Sequence, residues 1–169
     1  PIKDSRLSGR ISETAKVLWL VYTGITVLCA LVYKIEGMTW FDAVSHAFTT
    51  VATGGFSTHD ASFGYFQNPT MEVTAMVFMI LGALPMALHF IALRHGSLHA
   101  YWRSAEVRFF LGWMAAVAVM VVAFFLANWP EGSWLDTVRL NLFNLVSFAT
   151  TTGYTATDHT AYGPFLMLL

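Results

Sequence analysis

The sequence predicts an all-α membrane protein of repeated helix–pore-loop–helix units, in which re-entrant half-helices lead into extended filter segments. Three observations carry that prediction. Hydrophobic residues make up 56% of the chain and charged residues 11%, against about 25% charged in an average soluble domain. Long uncharged stretches approach or reach the ~20 residues that a helix needs to cross a bilayer. Between them a threonine- and glycine-rich block occurs twice, each time after an amphipathic run too short to span.

Residues 1–16 form a polar lead-in on the cytoplasmic side, with Lys3, Arg6, Arg10 and Lys16 against Asp4 and Glu13. The first repeat, 17–95, opens with a span at 17–35. No charge interrupts Val17 to Tyr33, and Lys16 and Lys34 can snorkel to the two interfaces. Trp19, Tyr22 and Tyr33 suit the aromatic belts. Glu36-Gly37-Met38 ends that helix, and Thr39 with Asp42 has the form of a capping box for a half-helix over 40–52. The extended segment 53–57 follows. A second span, 69–93, starts with Pro69 at a tolerated early position. Gly82 and Pro85 mark a break within it, because proline removes a helical hydrogen bond.

A basic linker, 94–108, precedes the second repeat, 108–169. Its span covers 109–128, its half-helix 136–150 and its extended segment 151–155, and a last helix starts over 164–169. Aligning Gly55 with Gly153 also aligns Thr53 with Thr151, Phe56 with Tyr154 and Asp60 with Asp158. Trp40-Phe41-Asp42 resembles Trp134-Leu135-Asp136 but lies about one helical turn nearer its glycine. The chain begins with Pro1 and stops in an apolar run, which reads as a piece of something larger.

The repeated block has the chemistry of a potassium-channel-like filter. Glycine tolerates φ > 0, so its neighbours' carbonyls can turn toward an axis and replace the hydration shell of a potassium ion. A half-helix ending there adds the partial negative charge of its C-terminus. The candidate ion-binding residues are Thr53, Gly54, Gly55 and Phe56 in the first loop, and Thr151, Thr152, Gly153 and Tyr154 in the second. Asp60 and Asp158 are candidates for the pore mouth. Potassium would be cargo; no cofactor and no structural metal are expected.

Charge sets the orientation. The lead-in and the Arg94–Arg108 linker hold seven of the nine Lys and Arg residues, so the positive-inside rule puts both in the cytoplasm and brings the loops in from outside. Acidic residues dominate the outer side and would concentrate cations there. The net charge of −1 argues against nucleic acid, which needs a clustered basic face. The partner implied directly is the lipid bilayer. Cys29, in an apolar run, reads as a packed thiol.

The blocks VATGGFSTHDASFGYF and ATTTGYTATD resemble the second and third pore loops of the TrkH/TrkG branch of the superfamily of potassium transporters. The resemblance covers nearly the whole chain. It implies potassium uptake across a bacterial cytoplasmic (inner) membrane, through one pore surrounded by four unlike repeats of a single polypeptide. The remaining repeats would thus be partners, as would a second copy in a homodimer and a TrkA-like, nucleotide-binding cytosolic regulatory subunit. The family's gating loop and the arginine below its filter fall outside this sequence.

Two other classes compete. An intramembrane hydrolase, metal- or serine-dependent, would draw on His89, His46 or Ser57, but would need a converging nucleophile–base pair or metal ligands rather than a repeated loop. A non-conducting scaffold would not need the loops either. His95 and His99 have a zinc-compatible spacing without further ligands and read as interfacial packing. His89 reads either as a functional intramembrane group or as a neutral imidazole bonded to a carbonyl freed by Pro85.

Overall fold

A computed structural model describes residues 2–128 and 133–156. Helix α1 (Ile2–Ile35) is continuous over 34 residues, so the polar lead-in and first span form one rod. Its apolar part, Ser12–Ile35, has 24 residues, about 36 Å at 1.5 Å per residue. That exceeds the ~30 Å of a bilayer's hydrocarbon core. Lys34 lies in the last turn of α1. Its Nζ donates to the Met38 carbonyl at 3.1 Å and sits 5.6 Å from the centre of the Trp40 ring, which fastens the turn into the next helix.

Helix α2 (Trp40–Val51) has 12 residues, about 18 Å, and cannot cross. Thr39 caps it: its Oγ1 accepts from the Asp42 amide at 3.1 Å and donates to Asp42 Oδ2 at 2.6 Å. After the first loop comes a 3-10 turn, Ser62–Tyr65. Helix α3 (Pro69–Ala83) follows, capped by the Asn68 side chain with proline in its first turn. Helix α2 is packed along α1 and against α3. The close approach to α3 depends on Gly82, where an added Cβ would lie 2.5 Å from the Val51 carbonyl oxygen.

The predicted second span is two helices. Helix α4 (Met86–His95) leaves α3 at 98° across Leu84–Pro85. Leu81 lies four residues before Pro85, which has no N–H to give its carbonyl the usual helical bond, and the Leu84 amide reaches that carbonyl only at 3.3 Å. His89 Nε2 meets it at 2.9 Å, and His89 Nδ1 lies 2.6 Å from the Tyr101 hydroxyl. The consistent tautomer has Nε2–H donating to the carbonyl and Nδ1 accepting from Tyr101. His89 is therefore a hydrogen-bonded group that closes the break and ties it to helix α5 (His99–Arg103). Gly96, with φ of 59°, ends α4. His95 and His99 consequently sit on different helices, and the zinc-compatible spacing is lost.

Helix α6 (Ala105–Asn128) is apolar and of spanning length over Ala105–Phe124. Helix α7 (Trp134–Ala149) is the second half-helix, with 16 residues. It packs on α6 and on α3 of the first repeat. No strand occurs among the described residues. The last helix expected over 164–169 lies outside them.

Contacts at Phe63 and at Arg139 help fasten the repeats together. Phe63, fully buried in the 3-10 turn, has the rings of Tyr33, His46, Phe66, Phe143 and Tyr154 within 5.2–5.9 Å of its own. Arg139 of α7 donates to Glu72 of α3 at 2.6 Å and to Asp136 at 2.8 Å. Glu72 is buried, so removing its partner would strand a charge. We expect Arg139→Leu to destabilise the full-length protein by about 3–5 kcal/mol, and the Glu72→Leu/Arg139→Leu pair to recover most of it. Melting temperatures of the purified variants check this, and a double variant no better than the single would refute it.

Candidate functional site

Each half-helix ends in the same hydrogen-bond template. In the first loop Ala52 N–H donates to Phe48 O at 3.0 Å and Thr53 N–H to Thr50 O at 3.1 Å. Gly54 and Gly55 N–H both reach Thr49 O, at 2.7 and 3.3 Å. In the second loop Thr150 N–H donates to Val146 O at 2.9 Å and Thr151 N–H to Phe148 O at 2.9 Å. Thr152 and Gly153 N–H both reach Ser147 O, at 2.8 and 3.3 Å. A side-chain bond repeats as well: Thr49 Oγ1 donates to Phe56 O at 2.9 Å, and Ser147 Oγ to Tyr154 O at 2.7 Å. Every donor and acceptor has its counterpart in the other loop.

The backbone repeats too. Thr53 and Gly55 have φ of 50° and 64°, Thr151 and Gly153 of 60° and 84°, while the residues between and after them do not have positive φ. An ordinary strand points successive carbonyls to opposite sides; alternating the sign of φ brings them to the same side. Threonine is β-branched and strained in the left-handed region, at a cost of about 1–3 kcal/mol. Such strain at two matched positions marks a site whose geometry the surrounding contacts impose. At Gly55 an added Cβ would land on the Thr152 carbonyl, 2.9 Å from its carbon and 3.2 Å from that of Gly153. The two loops therefore abut. At Gly153 a Cβ meets nothing within 4 Å, and only the backbone conformation requires glycine.

Tyr154 locks one loop to the other repeat. It is fully buried, with its hydroxyl 2.5 Å from Thr49 Oγ1, 3.2 Å from Thr50 Oγ1 and 3.2 Å from His46 O. Tyr33 Oη lies 3.0 Å from Thr50 Oγ1. Each hydroxyl has one proton to donate, and a consistent chain runs from Tyr33 to Thr50, to Tyr154, to Thr49 and on to the Phe56 carbonyl. Phe56, the counterpart of Tyr154, is 79% exposed. Sequence reasoning missed Thr49, Thr50 and Ser147. The alignment on the glycines held a signal, since it pairs Thr49 with Ser147, a hydroxyl at both positions.

The outer end of the first loop is fastened through Asp42. Its Oδ1 accepts from Thr58 at 2.6 Å and lies 3.2 Å from His59 Nε2. Burial works against the Asp42 charge. The hydrogen bonds from Thr39 and Thr58, with the imidazoles of His59 and His46, outweigh it and hold the carboxyl below its ordinary value. Asp60 is exposed and distinct from this network; Asp158 lies outside the described residues. The second loop is held by the first repeat's 3-10 turn, where Gly64 N–H donates to Thr155 O at 3.0 Å and Thr155 N–H to Ser62 Oγ at 3.2 Å.

The pair that a hydrolase would need does form, with His46 Nε2 3.0 Å from Ser57 Oγ. Its other nitrogen, however, bonds the Asp42 main-chain carbonyl at 2.8 Å. The ring has no exposed surface and is packed among Phe63, Phe66 and Tyr154. The imidazole itself is closed to a substrate, and the pair serves to position Ser57. Among the described residues no three His, Cys, Asp or Glu side chains converge as metal ligands.

The model of the TrkH family, described as cation transport protein, matches residues 1–169. The Trk system potassium uptake protein TrkH of Halomonas elongata is 42% identical over 173 residues, which cover 100% of this chain and 36% of that protein. Its namesake in Escherichia coli (strain K12) is 42% identical over 99% of this chain and 34% of its own length. TrkG of the same strain is 38% identical over 74% of this chain and 25% of its own. The crystal structure of the potassium transporter TrkH from Vibrio parahaemolyticus superposes with a TM-score of 0.89 at 39% identity, over 94% of this chain and 34% of that one. The chain spans about a third of the length of the curated relatives it matches. With one family model across every residue and a membrane-protein architecture to match, this chain belongs to the TrkH family of cation transport proteins.

Proposed function

We propose that the chain lines part of a potassium-conducting pore in a bacterial cytoplasmic membrane, with the two extended loops as segments of its selectivity filter. The observation that carries this is the twofold occurrence of one backbone template, alternating φ included, at the end of two half-helices. Carbonyls of Thr53–Phe56 and Thr151–Tyr154 would replace water around the ion. The C-terminal ends of α2 and α7 would supply negative potential behind them. The relatives' names specify potassium uptake, which supports potassium as the cargo here.

The ring needs more members. Tyr154 is buried against the half-helix of the other repeat, whereas the equivalent Phe56 is exposed. Applying the same relation to Phe56 places another half-helix against it, supplied by a further repeat of the longer polypeptide. Phenylalanine has no hydroxyl, so that half-helix need not offer the threonine pair that receives Tyr154. The homodimer and the nucleotide-binding cytosolic subunit rest on the family resemblance; the relatives' designation as parts of a Trk system supports additional subunits.

Replacing the glycines tests the filter. In the full-length protein Gly55→Ser forces the backbone and also drives a side chain into Thr152, so it should lower the potassium-to-sodium uptake ratio about tenfold, the factor that 1.4 kcal/mol produces. Gly153→Ser acts through φ alone and should lower it less. Cation uptake by cells lacking other potassium systems measures both; an unchanged ratio in two well-expressed variants would remove the filter assignment.

The tyrosine clamp is tested separately. Tyr154→Phe leaves the Thr49 and Thr50 hydroxyls short of a buried partner and should cost about 1–3 kcal/mol, read as a lower melting temperature of the purified protein. No change would mean that the hydroxyl chain contributes nothing to holding the loops.

A further inference from the structure

We propose that the space between α5 and the first turns of α6 binds an anionic phospholipid of the inner leaflet, an acyl chain in its cavity and the phosphate at Arg108. The cavity has a volume of about 530 Å³ and is lined by Leu98, Tyr101, Trp102, Val107, Leu111 and Gly112, with Arg108 beside them. That volume falls within the ~300–1,000 Å³ of small-molecule sites. Apart from the Tyr101 hydroxyl, which is engaged with His89, and the Arg108 guanidinium, the lining side chains offer a ligand mainly apolar surface. An aqueous metabolite would find few polar partners there; a hydrocarbon chain needs none.

The rim supplies the other half of a phospholipid's chemistry. Arg108 is exposed and lines the cavity, and it has no ion pair among the described residues; Arg94, on α4, does not line it. The positive-inside rule puts this segment at the cytoplasmic face, where basic pockets between membrane helices bind anionic headgroups. Helix α5 has the character of an interfacial segment: Leu98 and Trp102 are each 69% exposed, while Tyr101 turns inward to the α3–α4 break. Occupancy of this cavity would bear on the one hydrogen bond that ties α5 to that break.

The test uses the full-length protein in detergent, titrated separately with phosphatidylglycerol and phosphatidylcholine, with bound lipid counted by native mass spectrometry. Phosphatidylglycerol should bind the more tightly. Arg108→Gln should weaken it about fivefold, the change given by roughly 1 kcal/mol per basic residue at an anionic surface, with Arg108→Lys restoring most of it and Arg94→Gln leaving it unchanged. At Gly112 an added Cβ meets no atom within 4 Å. Gly112→Trp should therefore fill the cavity without disturbing the helix and displace the lipid although Arg108 remains. If Arg108→Gln fails to fold, Gly112→Trp decides alone. Equal binding of the two lipids, an Arg94→Gln effect as large as that of Arg108→Gln, or a folded Gly112→Trp variant that still binds would overturn the proposal. So would absence of bound lipid because another repeat, a second copy or a cytosolic protein fills the cavity.

Discussion

The buried hydroxyl of Tyr154 is the constraint on which the rest of the arrangement depends. A phenol with no exposed surface must find its hydrogen bonds inside the protein, and here they come from the half-helix of the other repeat. That requirement sets how far the second loop lies from α2, and hence how the two loops meet at Gly55 and Thr152. It also recruits α1, because Tyr33 completes the chain through Thr50. Phe63 fills the space beneath and touches both repeats. The contact is thus polar in its specificity and apolar in most of its buried surface.

Holding the loops so firmly has a physical purpose. Left-handed threonines at 53 and 151 persist only where surrounding contacts over-determine them. The amides of residues 53–55 and 151–153 are committed to half-helix carbonyls, and the carbonyl of each aromatic residue is held by a side-chain hydroxyl. Those donors are engaged on the protein side, which leaves backbone oxygens of the loops for whatever lies on the other. A cation is the species that such a surplus suits, and the short helices aim their negative ends the same way.

The α3–α4 break shows how the chain handles a backbone carbonyl that proline has deprived of its usual helical partner. The Leu84 amide reaches the Leu81 carbonyl at 3.3 Å, and His89 adds a shorter bond at 2.9 Å. Its second nitrogen must also be satisfied, and Tyr101 of helix α5 does so. A local defect in one helix thereby fixes the place of α5, a segment whose own five residues could not hold it.

The sequence by itself determined what depends on local chemistry. Charge-free runs of spanning length, Thr39 as a cap, Pro69 in a first turn, and the duplicated Thr–Gly–aromatic block all act through residues close in the chain, which is why the membrane class and repeated architecture were legible. The tertiary structure decided everything that depends on which repeat touches which. Tyr154 and Phe56 align in sequence, yet one is buried and the other open, because a neighbour's half-helix covers only the first. Asp42 reads as a helix cap, and only folding brings Thr58 and His59 to it from beyond the loop. Glu72 and Arg139 look like outer-surface charges until α3 and α7 pack together. His95 and His99 have helical spacing, but Gly96 turns the chain between them. Periodicity and capping report on a residue's own helix; contacts between elements 67 or 105 residues apart follow from packing, which no local pattern encodes.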